Sequence, residues 1–556
     1  MEAAGAIPAS ESTAAAAHGL PAVSQQAGGT AEPLPPAVAD LLSRFPDVVN
    51  EQKQLPPVSH STRHLIITTG QPVTAHFRRL DQTKLEAAKK IFAEWEAAGI
   101  VCRSDSCWSS PLHMVQKKDG SWRPVRDFRR LNLATVANKY PVPNMANFAH
   151  NLEDCFIFST LDPGSGYLQV PLDPEAIPKT AIITPFGLFE FLRMPFGLKN
   201  TGMSFQRMMD WLLQGVPFAF CYIDDILVAS KDMETHIQHL KKIFELLRTG
   251  GLVLILEKCC FARSEVDFLG HVISASGSRP LPSKVSAIQR HSLPVTVKDM
   301  QQFLGMLNFY RKFIPAAAQL LQPLTDCLRG GLAGSAVISW TDAMEMAFAA
   351  AKSSLAAAAV LAHPITNAQL SLAVDASNTP LGAVLQQRRP GSACWEPLGF
   401  FSRKLDKAES SYSAFDRELL AAFSGIRHFP FSLEGRPFEL WSDLKPLLLA
   451  VRSPAEKYSP RQQWQMSYIA EYTGDLRHVP GKENFVADAL SRPPGAIPVH
   501  SPVLSVCASG GTAGASVAVS PPSPPSSSAA VINFAAMAAA QASSAQLQPL
   551  PPEGPH

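Results

Sequence analysis

The chain has 556 residues, 46% of them hydrophobic and 17% charged, with a formal net charge of +2. That length suits two to four domains with a sizeable core, and the near-balanced charge excludes a uniformly basic nucleic-acid coat while leaving room for a local basic channel. Nine cysteines without a CxxC pair argue against a disulfide framework or a zinc site; with no basic leader at Met1 and no apolar run near the roughly 18 residues of a membrane span, the expectation is a soluble intracellular protein.

Residues 1–50 are rich in Ala, Ser and Pro and poor in aromatics. This predicts a disordered segment with one short amphipathic piece, Val38 to Phe45. Asp81 to Ala98 is predicted as a helix: Asp81 suits the N-cap, Leu85, Ala88, Phe92 and Trp95 share a face, and Gly99 ends it. Leu112 to Asn132 reads as strand, Asp-Gly turn, strand, with basic residues near the tip. Basic residues on a β-ribbon suit phosphate, Lys as a point charge and Arg as a fork; taken alone, a solvated surface hairpin is the more ordinary reading.

Phe158 to Asp162 is an apolar strand ending in a carboxylate. The turn that follows, Pro163-Gly164-Ser165-Gly166-Tyr167, is rich enough in Gly for backbone N–H groups to approach an anion. Thr184 to Asn200 reads as a hairpin and a turn, and Phe205 to Leu213 as a helix. Phe218 to Ala229 then sets Asp224-Asp225 between two short apolar runs, each read as a buried strand. Isolated buried carboxylates are costly. A divalent cation such as Mg²⁺, which takes hard oxygen ligands, would compensate them, and Asp162 could complete a three-carboxylate cluster. The plainer alternative is a polar hairpin turn, although such turns more often carry Asn-Gly or Asp-Gly.

Ser283 to His291 and Val297 to Ile314 read as helices, the second with an apolar stripe and closed by Pro315. From about Ala368 the pattern becomes three strands, a helix and a strand. Leu370 to Asp375 and Phe438 to Asp443 are apolar strands ending in Asp. The helix Ser411 to His428 carries Phe415, Leu419, Ala422 and Ile426 on one face, towards which Glu418 points. Asp488 lies on a predicted helix. Any one of these acids would ordinarily be a cap or a solvated charge; four on inward-facing apolar elements argue for a second metal site. Residues 494–556 return to Ala, Ser and Pro and are predicted disordered.

In combination, the motifs resemble the reverse transcriptase–RNase H region of Gypsy-type LTR retrotransposon polyproteins, from about Leu55 to about Pro493. The resemblance rests on the Lys117-Lys118-Asp119-Gly120-Ser121-Trp122-Arg123 hairpin, Leu161-Asp162 with Gly166-Tyr167, Arg193 to Asn200, Tyr222-Ile223-Asp224-Asp225 and Phe268-Leu269-Gly270-His271. Further on it rests on Asp375-Ala376-Ser377, Phe415 to Leu419, Ser442 to Leu447 and His478 to Arg492.

It implies an α+β multidomain chain. Residues 51–275 would form the fingers and palm of a right hand, 276–365 the thumb and connection, and 366–493 an α/β RNase H-like domain, with disordered ends at 1–50 and 494–556. Asp162, Asp224 and Asp225 would hold two Mg²⁺ ions in the palm, with Mn²⁺ able to substitute. Lys117, Arg123 and the backbone near Ser165 and Gly166 would bind the dNTP triphosphate, and Tyr167 would exclude a ribose 2′-OH. Phe268, Leu269, Gly270 and His271 would form the primer grip. Asp375, Glu418, Asp443 and Asp488 would hold two further ions and cut the RNA of a hybrid.

Implied partners are an RNA template, a DNA or tRNA primer, the RNA–DNA hybrid, dNTPs and other products of the polyprotein, with no membrane. The implied location is the cytoplasm, in a virus-like particle, and the nucleus. The sequence departs from the usual family pattern at Arg126, Pro163-Gly164, Leu168, Thr201-Gly202-Met203-Ser204, Ile255-Leu256 and Leu444. None of these removes a carboxylate.

Overall fold

The computed structural model describes residues 34–49, 55, 57–117, 120–144, 148–149, 151–164, 166–358, 360–452 and 458–480. The expected disorder of 1–33 and of 494–556 therefore lies outside the described residues, as do Ser165 and Asp488. Among the described residues no helix is long and apolar enough to cross a membrane.

The first region comprises α1 (Pro36–Ser43), α2 (Gln82–Ala97), β1 (Val101–Arg103), β2 (Ser110–Gln116), β3 (Trp122–Arg126), α3 (Arg129–Ala134) and β4 (Ile157–Leu161). It continues through β5 (Ile182–Thr184), β6 (Gly187–Phe191), α4 (Thr201–Leu212), β7 (Ala219–Tyr222), β8 (Asp225–Ser230), α5 (Met233–Gly250) and β9 (Cys260–Arg263). Two sheets result, one ordered β1-β6-β5-β2-β3 and one ordered β7-β8-β4-β9. The predicted helix appears as α2, with the Asp81 side chain accepting from the Lys84 N–H and Gly99 in the left-handed region that stops it.

One expectation is corrected here. Residues 34–49, read as part of a disordered linker, fold as α1 and a following turn and enter the main core. Val38, Leu41, Leu42 and Phe45 are buried. The Phe45 ring packs edge-on against Phe244 of α5, and Arg248 makes a two-pronged ion pair with Asp47 at 2.5 and 2.6 Å. Burying Phe45 alone contributes roughly 2 kcal/mol. The amphipathic piece expected at Val38 to Phe45 is this helix, with apolar positions at i, i+3 and i+4; what the composition did not show is that it packs into the main core.

The second region holds the small sheet β10 (Glu265–Phe268), β11 (His271–Ser274) and β12 (Gly277–Pro280). The helices α6 (Pro282–Gln289), α7 (Val297–Phe309), α8 (Ala317–Leu320), α9 (Gln322–Asp326) and α10 (Asp342–Ala356) follow. Thr296 caps α7 in a full capping box with Asp299.

The third region contains β13 (Gln369–Ala376), β14 (Pro380–Arg388), β15 (Trp395–Lys404), α11 (Ala414–His428), α12 (Pro430–Leu433), β16 (Phe438–Ser442), α13 (Lys445–Arg452), α14 (Pro460–Tyr472) and β17 (Leu476–His478). Its sheet runs β15-β14-β13-β16-β17, with β13 parallel to β16 and β16 parallel to β17. One face packs on α11, α13 and α14 through Leu372, Val374, Leu419 and Ile426. The other face, through Ala373, Val384, Phe400 and Trp441, shares a core with Met300, Leu307, Leu324 and Phe348 of the second region. Arg311 and Ala318 also donate to Ser402 of β15, at 2.6 and 2.9 Å. Core packing therefore runs without a break across residue 365, where the sequence suggested a boundary.

Candidate active sites

The first acidic site forms where β4, β7 and β8 end together. The β4–β8 register pairs Leu161 with Ile226, so Asp162 emerges beside Asp225 at the same edge. The β7–β8 register pairs Tyr222 with Asp225, which leaves Ile223 and Asp224 as a two-residue turn. The plainer sequence reading, a hairpin turn, is thus correct in geometry, and the turn carries an acid of the cluster. It lacks glycine because Ile223 itself takes φ 55°, a conformation that costs a β-branched residue about 1–3 kcal/mol.

Gln206 of α4, wholly buried, holds the turn. Its Oε1 accepts from the Ile223 N–H at 2.7 Å, and its Nε2 donates to the Cys221 carbonyl at 3.2 Å.

The acids are differently placed in charge. Lys258 donates to both oxygens of Asp162, at 3.2 and 3.3 Å. Burial pushes the Asp162 carboxyl up, Lys258 opposes that, and Asp224 adds a smaller upward push. Asp225 is exposed to solvent yet flanked by protein. That packing, then the charges of Asp224 and Asp162, raise it to about 6. Tyr167 stands beside the site, its ring 4.8 Å from Phe196 and 5.6 Å from Phe205. Burial first, then Asp224 and Tyr222, push its phenol up to about 12. Gly166 lies in a tight spot: a Cβ there would sit 3.1 Å from the Phe205 ring, close enough to press on it, and in ordinary contact with Asp224 Cβ at 3.8 Å.

Two sets of expected site residues are engaged within the fold itself. The Gly166 N–H, expected to face a triphosphate, donates to the Pro163 carbonyl at 3.1 Å. Of the four expected grip residues, Phe268 and His271 are buried. Leu269 and Gly270 form the tip, both with positive φ, as a two-residue hairpin of the primed type requires. His271 packs among Phe309, Phe313 and Tyr310, and burial lowers it to about 4. Tyr310 of the second region donates to the Gly270 carbonyl at 2.8 Å. Lys117 and Arg123 are exposed on the β2–β3 ribbon at one edge of the first sheet.

The second acidic site lies at the ends of two parallel strands. Ala373 pairs with Trp441, so Asp375 and Asp443 emerge side by side. Glu418 rises from α11 beneath them. Ligand oxygens of Asp375, Glu418 and Asp443 lie within 4.8 Å of one another, the one such group among the described residues. Glu418 is buried and accepts from the Ser442 hydroxyl at 2.8 Å. Burial, then Asp375, push its carboxyl well above the usual range, with Ser442 opposing. His478 places Nε2 3.1 Å from the Asp443 carbonyl.

Sequence reasoning missed Lys258, Gln206 and Ser442. Lys258 lies just beyond the Ile255-Leu256 departure, and Gln206 reads as an ordinary helix position.

Residues 115–273 match the family model for reverse transcriptase (RNA-dependent DNA polymerase). Residues 340–440 match an RNase H-like domain found in reverse transcriptase. The chain is 35% identical over 463 residues to the Retrovirus-related Pol polyprotein from transposon 297 of Drosophila melanogaster, covering 81% of this chain and 42% of that protein. It is 30% identical over 466 residues to the Transposon Tf2-3 polyprotein of Schizosaccharomyces pombe, covering 82% and 34%. The chain thus spans less than half the length of these curated relatives. Among solved structures, the foamy viral protease–reverse transcriptase in complex with dsDNA (dRH form) superposes with TM-score 0.72 at 21% identity, over 80% of this chain and 78% of that one. The same enzyme in complex with an RNA/DNA hybrid gives 0.70 at 21% identity, over 84% and 62%.

Proposed function

This chain carries the reverse transcriptase–RNase H region of the Gypsy-type LTR retrotransposon polyproteins, and from that premise we propose that it is an RNA-directed DNA polymerase with ribonuclease H activity. The observation that carries the reading is the presence of two separate acidic sites at strand ends, each on a region whose fold and family match the corresponding activity. In this reading residues 51–275 are fingers and palm and 276–365 thumb and connection. The ordered 34–49 joins the palm.

The residues suit Mg²⁺. Each site offers carboxylate oxygens, the hard ligands this ion takes, and burial penalises their charge unless a cation joins them. Bound in pairs, such ions would activate the attacking oxygen and stabilise the leaving one. Asp162, Asp224 and Asp225 would hold them in the palm, and Asp375, Glu418 and Asp443 in the second site, with Asp488 as a fourth acid there. Lys117 and Arg123 would neutralise the dNTP triphosphate. Tyr167, wedged between Phe196 and Phe205, would present a rigid wall to the sugar and exclude a 2′-OH. The Leu269-Gly270 tip would position the primer end, and placement matters because phosphoryl transfer is mostly positioning and electrostatics. The relatives bearing dsDNA or an RNA/DNA hybrid support a primed template and a hybrid as this chain's partners, held by phosphate contacts that weaken with salt.

A second reading is an inert copy that binds nucleic acid only. Lys258 favours it, because it already neutralises Asp162. The deciding experiment is Mg²⁺-dependent dNTP incorporation on an RNA template with a DNA primer, beside Asp224→Asn. Incorporation by the native chain and near-total loss in the variant is expected. A folded native chain that binds the hybrid and incorporates nothing would overturn the polymerase reading.

A further inference from the structure

Gln206 holds the strained turn only while its amide faces the right way. A Gln side chain has a donor end and an acceptor end of nearly equal shape. Turned over, it would set an N–H against the Ile223 N–H and a carbonyl oxygen against the Cys221 carbonyl, losing both bonds. One helical turn along α4, Asp210 accepts from Gln206 Nε2 through Oδ1 at 2.8 Å. An ionised carboxylate only accepts, so Asp210 admits one orientation of the amide. The other oxygen, Oδ2, accepts from the Tyr140 hydroxyl at 2.6 Å, and the Arg207 guanidinium lies 5.0 Å from the centre of the Tyr140 ring. Tyr140 belongs to the segment after α3, which is fixed where the Asn138 N–H donates to the Asn200 side chain at 3.0 Å.

We propose that Tyr140, Asp210 and Gln206 form a positioning relay that fixes the Ile223-Asp224 turn, so that the segment after α3 sets the placement of Asp224. The inference rests on the polymerase reading for its consequence and on geometry for its existence. Asp210 bonds to Gln206 and Tyr140 and not to the acids. Asp210 and Tyr140 act through one amide, whose orientation decides whether a β-branched residue stays in a left-handed conformation.

Asp210→Asn tests the relay because it keeps the shape and adds a donor that tolerates the reversed amide. Two readouts apply to the full chain. The first is amide hydrogen exchange of the peptide spanning residues 219–226, which needs no activity. Exchange at the Ile223 amide should speed up about tenfold or more in Asp210→Asn, and less in Tyr140→Phe. The second is kcat for dNTP incorporation, expected to fall about tenfold with KM for the primed template unchanged. RNA cleavage by the same molecules should be unaltered. Native exchange rates in both variants would overturn the relay whether or not the chain polymerises. Faster exchange with unchanged kcat would overturn its effect on catalysis. Loss of incorporation and cleavage together in Asp210→Asn, with Tyr140→Phe native in both readouts, would mark Asp210 as merely structural and also overturn it. A native chain without incorporation but with the exchange change would defeat the polymerase reading and leave the relay standing.

Discussion

The two acidic sites handle like charges in opposite ways. In the palm the acids end three adjacent strands, one is paired with Lys258, and one sits on a strained turn. In the third region three acids are already within 4.8 Å, and burial with the charge of Asp375 drives Glu418 towards its protonated form. Lys258 draws the Asp162 carboxyl down against the burial that raises it. At the second site burial and the neighbouring carboxylates fall mainly on Glu418, which takes up a proton more readily. The palm therefore depends on an element that must be held, its turn, and the second site on a charge that must be relieved.

The sharpest way to break the comparison is Glu418→Gln. RNA cleavage should fall on the order of 10³-fold, while dNTP incorporation remains. At pH above the folded-state value of Glu418 the metal-free protein should become more heat-stable, because the substitution removes a carboxyl that burial makes costly to ionise. The sign follows from the raised carboxyl. In the native chain stability is gained as pH falls through the folded-state value of Glu418 and lost as pH rises through it, and the Gln variant should lack that slope. Calorimetry of both proteins across pH checks this; a lower midpoint in the variant would refute the charge-relief account.

A smaller effect is expected from Gly166→Ala. Its new methyl would press on Phe205 beneath Tyr167 and raise KM for dNTP about tenfold, leaving cleavage untouched. Steady-state kinetics with a dNTP series would reveal it, and an unchanged KM would remove Tyr167 and its neighbours from the nucleotide pocket. The smallest concerns Lys258→Gln. Lys258 holds the Asp162 carboxyl down against burial. Its loss should move the acid limb of the incorporation profile to higher pH, by less than one unit because the pair is partly exposed.

Much of the fold was legible in sequence because strand and helix periods are local. The helix with Asp81 at its cap, the strands ending in Asp162, Asp375 and Asp443, and the inward Glu418 were all read from spacing alone. What could not be read was set by packing between distant segments. The amphipathic piece at Val38 to Phe45 gave no sign that it docks on α5, the grip motif contributed two core residues and a tip, and the third sheet borrowed its second face from the preceding helices. The departures from the family pattern are instructive in the same way. A Cβ on Gly164 would lie 2.6 Å from Ile255 Cγ1, so two departures that look independent in sequence accommodate each other in space. Ser204 likewise has a partner in buried His64, at 2.8 Å, and Arg126 lies between the rings of Trp95 and Phe191, at 4.7 and 4.8 Å.

The most direct test of two independent acidic sites uses one RNA–DNA hybrid with a recessed DNA primer and a different label on each strand. Native chain, Asp224→Asn and Asp443→Asn are compared in Mg²⁺. The account predicts that the native chain extends the DNA and cuts the RNA, that Asp224→Asn only cuts, and that Asp443→Asn only extends. Loss of both activities in either variant, or neither activity in a native chain that binds the hybrid, would contradict it.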